Sequence, residues 1–422
     1  MTEKSLFTAN VLKLGGGTAL GQLFVVVAAP VITRLYNPME MGLLGIFMSF
    51  IWFLSVGVGL RYEMAIVSVK EKWEAECLLV ISLLITLPVS MLSGIVMFVM
   101  IKSNTLSYGS LPIWSPVLAI VLLILSGIFT SLRYWFVREG SFKGISQTLI
   151  FQGAGRAGVP ILLYFLHLGW LGLLAGELAG RIMGIGRLMV DAWPTIKRNL
   201  KPFCLESFRI TFSRNWKSPA IVLPSTLINA LSGMLPVPLV AFLFGIEASG
   251  QFFLVQRLSD LPAGLIATSV ADVFHPRIAE AHWESPQNVR SILLSVVKQL
   301  IFYSSLIYVP VIIISPFIFG FLFGKDWDNT GILMTILSPI FMVGLVVSPV
   351  SRLLLVVNRM ELKLLYDFIS LCAPIFGLWV MHHLNYSFLE SLVAYSAIQI
   401  FSNLIYFGLI WYASDIRNHS KN

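Results

Sequence analysis

Almost the whole chain is laid out as long, continuous apolar runs, at about 10–33, 41–67, 77–101, 115–137, 145–166 and 168–190, then 220–244, 250–275, 292–322, 332–357, 364–382 and 388–412. A helix crosses the hydrocarbon of a bilayer in about 20 residues, so each run is the length of one span. The runs are continuous rather than alternating, which argues against a β-barrel. Only 12% of residues are charged, about half of what coats a soluble domain. These features exclude a cytosolic enzyme, a DNA-binding protein and a secreted disulfide scaffold. They predict an all-α polytopic membrane protein of twelve transmembrane helices.

The net charge is +8, and its distribution along the chain explains it. Lys4, Lys70, Lys72, Arg138, Lys143, the group from Lys197 to Lys217, Arg277, Arg290, Arg359, Lys363, Arg417 and Lys421 fall in alternate loops. The loops on the other side carry Arg34, Lys102 and Lys325. The positive-inside rule then puts both termini in the cytoplasm, as an even number of spans requires. No basic block of the kind that binds nucleic acid is present. The three cysteines, Cys77, Cys204 and Cys372, have neither disulfide arithmetic nor metal-site spacing. The first apolar run continues past Val31, too long for a signal-peptide core, so it reads as a retained helix.

The longest connection is basic and cytoplasmic, 191–219, and divides the chain into a six-helix lobe over 1–190 and another over 220–422. The halves echo each other. Pro30, Leu35-Tyr36 and Gly42 recur 208 positions later as Pro238, Leu243-Phe244 and Gly250, with Glu40 and Glu247 near the same place. Six spans per half make this a parallel repeat about an axis along the membrane normal. In the sixth span Gly172, Gly176, Gly180 and Gly184 form a stripe, and Gly17 and Gly21 form a shorter one in the first. Stripes of this kind let another helix backbone approach closely.

Enzyme signatures are missing. The six histidines lie mostly at helix ends, and adjacent His382 and His383 diverge by about 100° on a helix, so no metal site is expected. Outer loops are short, whereas a membrane-bound glycan polymerase or acyltransferase needs a loop that presents carboxylates. The informative residues are charges inside spans, which are costly in hydrocarbon unless they face a partner or water. Arg61 and Glu63 lie in the inner part of the second span, where snorkelling to headgroups and function both remain open. Arg133, beside Tyr134 and Trp135, reads as an interfacial anchor. Arg156 lies in the middle of the fifth span, too deep to reach either surface. Glu177 and Arg181 stand four apart in the sixth, the spacing of an intrahelical pair. Arg257 and Asp260 share a face of the eighth, with Asp272 and His275 further along, Lys298 in the ninth and Arg352 in the tenth. Cations outnumber acids, and the planar fork of Arg suits phosphate. The pattern predicts a water-filled cavity for an anion, whereas a cationic drug would call for deep carboxylates and aromatic cages.

Pro30-Val31-Ile32-Thr33-Arg34-Leu35-Tyr36 with Glu40-Met41-Gly42, then Arg61-Tyr62-Glu63-Met64-Ala65-Ile66, then Phe323-Gly324-Lys325-Asp326-Trp327 resemble segments of bacterial polysaccharide-biosynthesis flippases. These are the O-antigen and lipid-linked oligosaccharide translocases of the multidrug/oligosaccharidyl-lipid/polysaccharide exporter superfamily. The resemblance implies two six-helix lobes around a central cavity in the bacterial inner membrane. It implies that an undecaprenyl-diphosphate-linked sugar repeat moves from the inner to the outer leaflet, with polysaccharide-assembly proteins as further partners. It implies no enzymatic activity and no cofactor beyond a coupling Na⁺ or H⁺. Family cavities are lined by cations, a role carried onto Arg34, Arg61, Arg156 and Arg257. Asp260 and Glu63 are the candidates for ion coupling. An ion-coupled multidrug antiporter of the same superfamily is the alternative.

Overall fold

The computed structural model describes residues 3–200, 205–216, 218–284 and 286–415. Among them every regular element is helical: α1 (Glu3–Leu35), α2 (Pro38–Ser55), α3 (Tyr62–Ser68), α4 (Lys72–Lys102), α5 (Ser115–Arg138), α6 (Phe142–Tyr164), α7 (Trp170–Leu200), α8 (Leu205–Arg214), α9 (Leu223–Met234), α10 (Pro236–Phe244), α11 (Ile246–Glu284), α12 (Val289–Phe323), α13 (Thr330–Val350), α14 (Arg352–Val356), α15 (Met360–His383) and α16 (Phe388–Ala413). Among the described residues nine segments are long and apolar enough to cross a membrane, counting α9 with α10 and α13 with α14 as one each. The long helices α6, α7 and α11 are not among the nine. They carry Arg156, Glu177, Arg181, Arg257 and Asp260. A polar helix of this kind needs neighbours that satisfy its charges.

The second expected span is not one helix. It breaks over residues 56–61, where Leu60 (φ 50°) and Arg61 (φ 63°) are left-handed, and resumes as α3. Other boundaries follow local chemistry. Pro38 opens α2, and Asn37 and Glu40 close a reciprocal capping box on its first turn. Ser387 and Glu390 do the same for α16. Such boxes satisfy two donors that a helix start leaves unpaired.

The chain forms two compact units, Met1–Phe242 and Leu243–Asn422, the division falling inside α10. In the first unit α6 lies between α1 and α7. Gly17 and Gly21 of α1 press on Ser146 and Leu149 of α6, and a Cβ at Gly153 would meet the Gly21 backbone. On the opposite side, a Cβ at Gly155 would come within 2.7 Å of the Gly180 Cα. The stripe from Gly172 to Gly184 faces Tyr36, Pro160, Gln152 and Thr148 in turn. At Gly153 and Gly155 the approach is backbone to backbone, with no flexible side chain to yield. Gly153→Val is therefore expected to cost about 3 kcal/mol or more, at the upper end of overpacking penalties. Thermal unfolding of the purified protein in detergent checks this, with Gly158→Val as the control, since nothing lies within 4 Å of a Cβ there.

Arginines fasten several helix ends. Arg138 donates to the carbonyls of Ile66 (2.8 Å), Val69 (2.5 Å) and Lys70 (3.1 Å), closing the C-terminus of α3 onto α5. In the second unit Arg290 reaches Asp415 at 3.0 Å and stacks on Trp411 at 5.0 Å, tying the start of α12 to the end of α16.

Candidate functional site

The break before α3 arises in Val56-Gly57-Val58-Gly59-Leu60, where two glycines allow close approach. Gly57 lies against Leu223 and Leu227 of α9, and Gly59 against the Glu63 carboxylate. Turn bonds from Gly57 to Leu54, Leu60 to Gly57 and Tyr62 to Gly59 replace the helical ladder. Each left-handed non-glycine residue costs on the order of 1 kcal/mol and persists only where its surroundings enforce it. The turn carries Arg61 across to α9, where its Nε donates to Thr226 Oγ1 at 3.2 Å. That hydroxyl donates onward to the carbonyls of Val222 and Leu223, each at 2.9 Å. Glu63 is buried, 3.9 Å from Arg61 through Oε1, and its Oε2 makes no hydrogen bond to any described residue.

A second network fills the interior between α5, α6 and α7. Arg156 Nε lies 3.0 Å from Glu177 Oε2. Arg181, buried to 8% exposure, donates to the Ser126 hydroxyl of α5 and stands within electrostatic reach of Arg156 and Glu177. The expected link between Glu177 and Arg181 is thus joined by a partner from a neighbouring helix. Gly180, lying against Gln152 O and the Arg156 side chain, leaves the room for this. Two arginines share one carboxylate, so the cluster carries a net positive charge. Arg181 and Ser126 were not among the expected ligands; the glycine stripe beside them was the available signal.

Arg257 and Asp260 lie in the second unit, on α11. Arg257 is half-buried and Asp260 exposed, and the Asp260 charge acts on the hydroxyls of Tyr308 and Tyr395. Tyr308 also donates to Ser259 O at 2.7 Å. Arg34 is exposed in the last turn of α1. Lys298 and Arg352 are exposed, and His275 is half-buried; the Asp272 side chain, like Cys204, lies outside the described residues. Arg61 and Arg156 therefore occupy separate networks of the first unit. Sequence reading also passed over Lys363 and buried Asp367, 2.5 Å apart on α15, beside Tyr366 stacked on Tyr406. Their signal was the i, i+4 spacing of opposite charges.

Much of the two other motifs builds turns. Tyr36 donates to Pro160 O at 2.8 Å and meets the Tyr164 ring edge-on. Gly324 (φ 106°) turns α12 toward α13, Trp327 is fully buried, and Gly320 leaves space for the Asp328 carboxylate.

Solved structures share this fold. An inward-facing multidrug resistance MATE family transporter of the MOP superfamily matches with a TM-score of 0.70 and 15% identity, over 100% of this chain and 97% of that one. A MOP superfamily transporter from Pyrococcus furiosus, described for the reverse polarity of its binding pocket, gives 0.64 and 16%, over 96% of each chain. An outward-facing MATE family transporter gives 0.61 and 17%, over 98% and 96%. The chain is thus a multi-span membrane protein with the fold of these transporters. Residues 31–331 match the family described as Polysaccharide biosynthesis protein, and the chain belongs to that family. No curated protein matches it.

Proposed function

We propose that the protein is a flippase that carries an undecaprenyl-diphosphate-linked oligosaccharide repeat from the inner to the outer leaflet of the bacterial inner membrane. Family membership supports a role in polysaccharide assembly and the fold supports transport. The observation that carries the substrate class is Arg61. This cation sits on an unwound turn, with a neutral hydroxyl as its hydrogen-bond partner and a carboxylate at the 3.9 Å limit of an ion pair. A diphosphate offers its fork better-matched acceptors than either.

In this reading the halves 1–190 and 220–422 form two lobes around a central cavity, with twelve spans in all. The end of each half's first span supports the repeat: Tyr36 packs edge-on against Tyr164, and Phe244, 208 positions later, packs edge-on against His382. Arg61, Arg156 and Arg257 bind the diphosphate, and Arg34 assists from the opposite end of the path. The lobes alternate about this site while the lipid tail stays in the bilayer. Asp260 or Glu63 takes up the coupling Na⁺ or H⁺. Both termini face the cytoplasm. A reporter active only outside the cytoplasm should give signal when fused after Gly109 and none after Asn199; the opposite pattern reverses the orientation.

A multidrug antiporter is the second reading, favoured by the fold match and by exposed Asp260 beside two tyrosines. Complementation of a glycan-export defect, scored beside drug sensitivity, separates the two. A flippase restores export and depends on Arg61. An antiporter changes drug tolerance, depends on Asp260 and leaves export unrestored.

A further inference from the structure

The connection between α7 and α9 is amphipathic, and α8 is fastened to one end of the first unit. Its inward side is held at three points. Thr211 is fully buried, Phe212 packs on Tyr62 with ring centroids 5.2 Å apart, and Asn215 donates to Glu74 at 3.2 Å. Its other side is uncovered. Ile210 and Trp216 are 46% and 52% exposed, and Trp193, late in α7, is 49% exposed. Trp73, in the first turn of α4, is exposed to 44% beside the same anchoring residue, Glu74. A tryptophan at this exposure on the end of a spanning helix, as Trp73 is on α4, marks the headgroup level of a bilayer.

Cations accompany them. Lys70, Lys72, Lys143, Lys197 and Arg214 are exposed on these helix ends. The facing acids are Glu71, Asp191 and Glu139, the last drawn to Lys72 at 3.7 Å. From Ala192 to Pro219 the sequence holds six Lys and Arg and a single acid, Glu206. Arg214 lies 3.6 Å from Glu74, yet its side chain is 62% exposed, so much of its fork faces outward. Only residues 215–222 separate α8 from α9, where a membrane span begins. A helix on so short a tether stays at the bilayer surface.

We propose that α8 and the end of α7 form a docking surface for anionic phospholipid headgroups. Trp193, Ile210 and Trp216 enter the headgroup–acyl boundary, while Arg214 and Lys197 take lipid phosphates. Paired apolar and cationic faces are what an interfacial helix needs to prefer an anionic leaflet. A docked protein would match the apolar face equally well. The surplus of cations and the short tether to a span favour lipid.

The test needs no transport measurement, so its outcome is independent of the proposed substrate. In the full chain with Cys77, Cys204 and Cys372 replaced by serine, Ser213→Cys carries an environment-sensitive fluorophore. The protein is placed in nanodiscs of phosphatidylcholine with increasing phosphatidylglycerol. Emission should shift to the blue with saturation and revert in high salt. Lys197→Gln, which touches no described partner, and Arg214→Gln should each raise the phosphatidylglycerol fraction for half the shift by about fivefold, the effect of one surface charge. Soluble glycerol phosphate should not reproduce the shift. Emission that ignores phosphatidylglycerol overturns the proposal, as does a shift given equally by glycerol phosphate. A probe shielded in native membranes but wet in every nanodisc also overturns it and points to a protein partner.

Discussion

Arg61→Ala should abolish glycan export at matched protein levels, and Arg61→Lys should restore only a small part of it. Lysine keeps the charge but replaces a two-pronged planar donor with a point charge, and at a bidentate phosphate site that exchange is not conservative. Geometry adds a second reason. The guanidinium bonds Thr226 through Nε, a donor that lysine lacks at that position along the chain. Thr226→Ala provides the control. It removes the hydroxyl but leaves the fork, so it should weaken the hold of the α3 turn on α9 while export persists. If Thr226→Ala loses export as fully as Arg61→Ala, Arg61 serves to fasten the turn rather than to bind cargo. Arg257→Ala should match Arg61→Ala, since the proposed function assigns both arginines to the diphosphate. Normal export by Arg61→Ala, Arg156→Ala and Arg257→Ala alike would falsify the cationic site.

What the sequence disclosed and what it hid have different physical origins. The long helices were legible because apolar length is a property of the chain alone. The polysaccharide-biosynthesis family was legible in three short motifs, and the match over residues 31–331 agrees with it. The break at 56–61 was not legible. Gly57 and Gly59 are unremarkable inside an apolar run, and it is Leu223 and Leu227 of α9, far along the chain, that meet the turn. The partner of Glu177 was hidden for a similar reason. Spacing on one helix finds residues four apart, as it found Arg181, but it cannot find a residue on a helix brought alongside by glycines. The stripe from Gly172 to Gly184 announced that a backbone came close without saying whose. It was α6, and Arg156 came with it.

Glu177→Ala should be the most destabilising change in the first unit. Glu177 is 3% exposed and lies 3.0 Å from Arg156, with Arg181 close by. Its removal leaves two arginines in the interior without their shared carboxylate, and breaking a buried pair from one side costs about 3–5 kcal/mol. Arg156→Ala should cost less, because Arg181 remains within reach of the carboxylate and keeps its bond to Ser126. The double variant Arg156→Ala with Glu177→Ala should recover much of the lost stability, since the uncompensated charge is then reduced to Arg181, which retains a hydroxyl partner. Melting curves in detergent measure this cycle, and the coupling should exceed 1 kcal/mol, as contacting residues typically show. The same three variants separate the two roles open to Arg156. If it only neutralises Glu177, the double variant regains export together with stability. If it also binds diphosphate, the double variant is stable and export stays lost, because the fold no longer needs the arginine and the cargo still does.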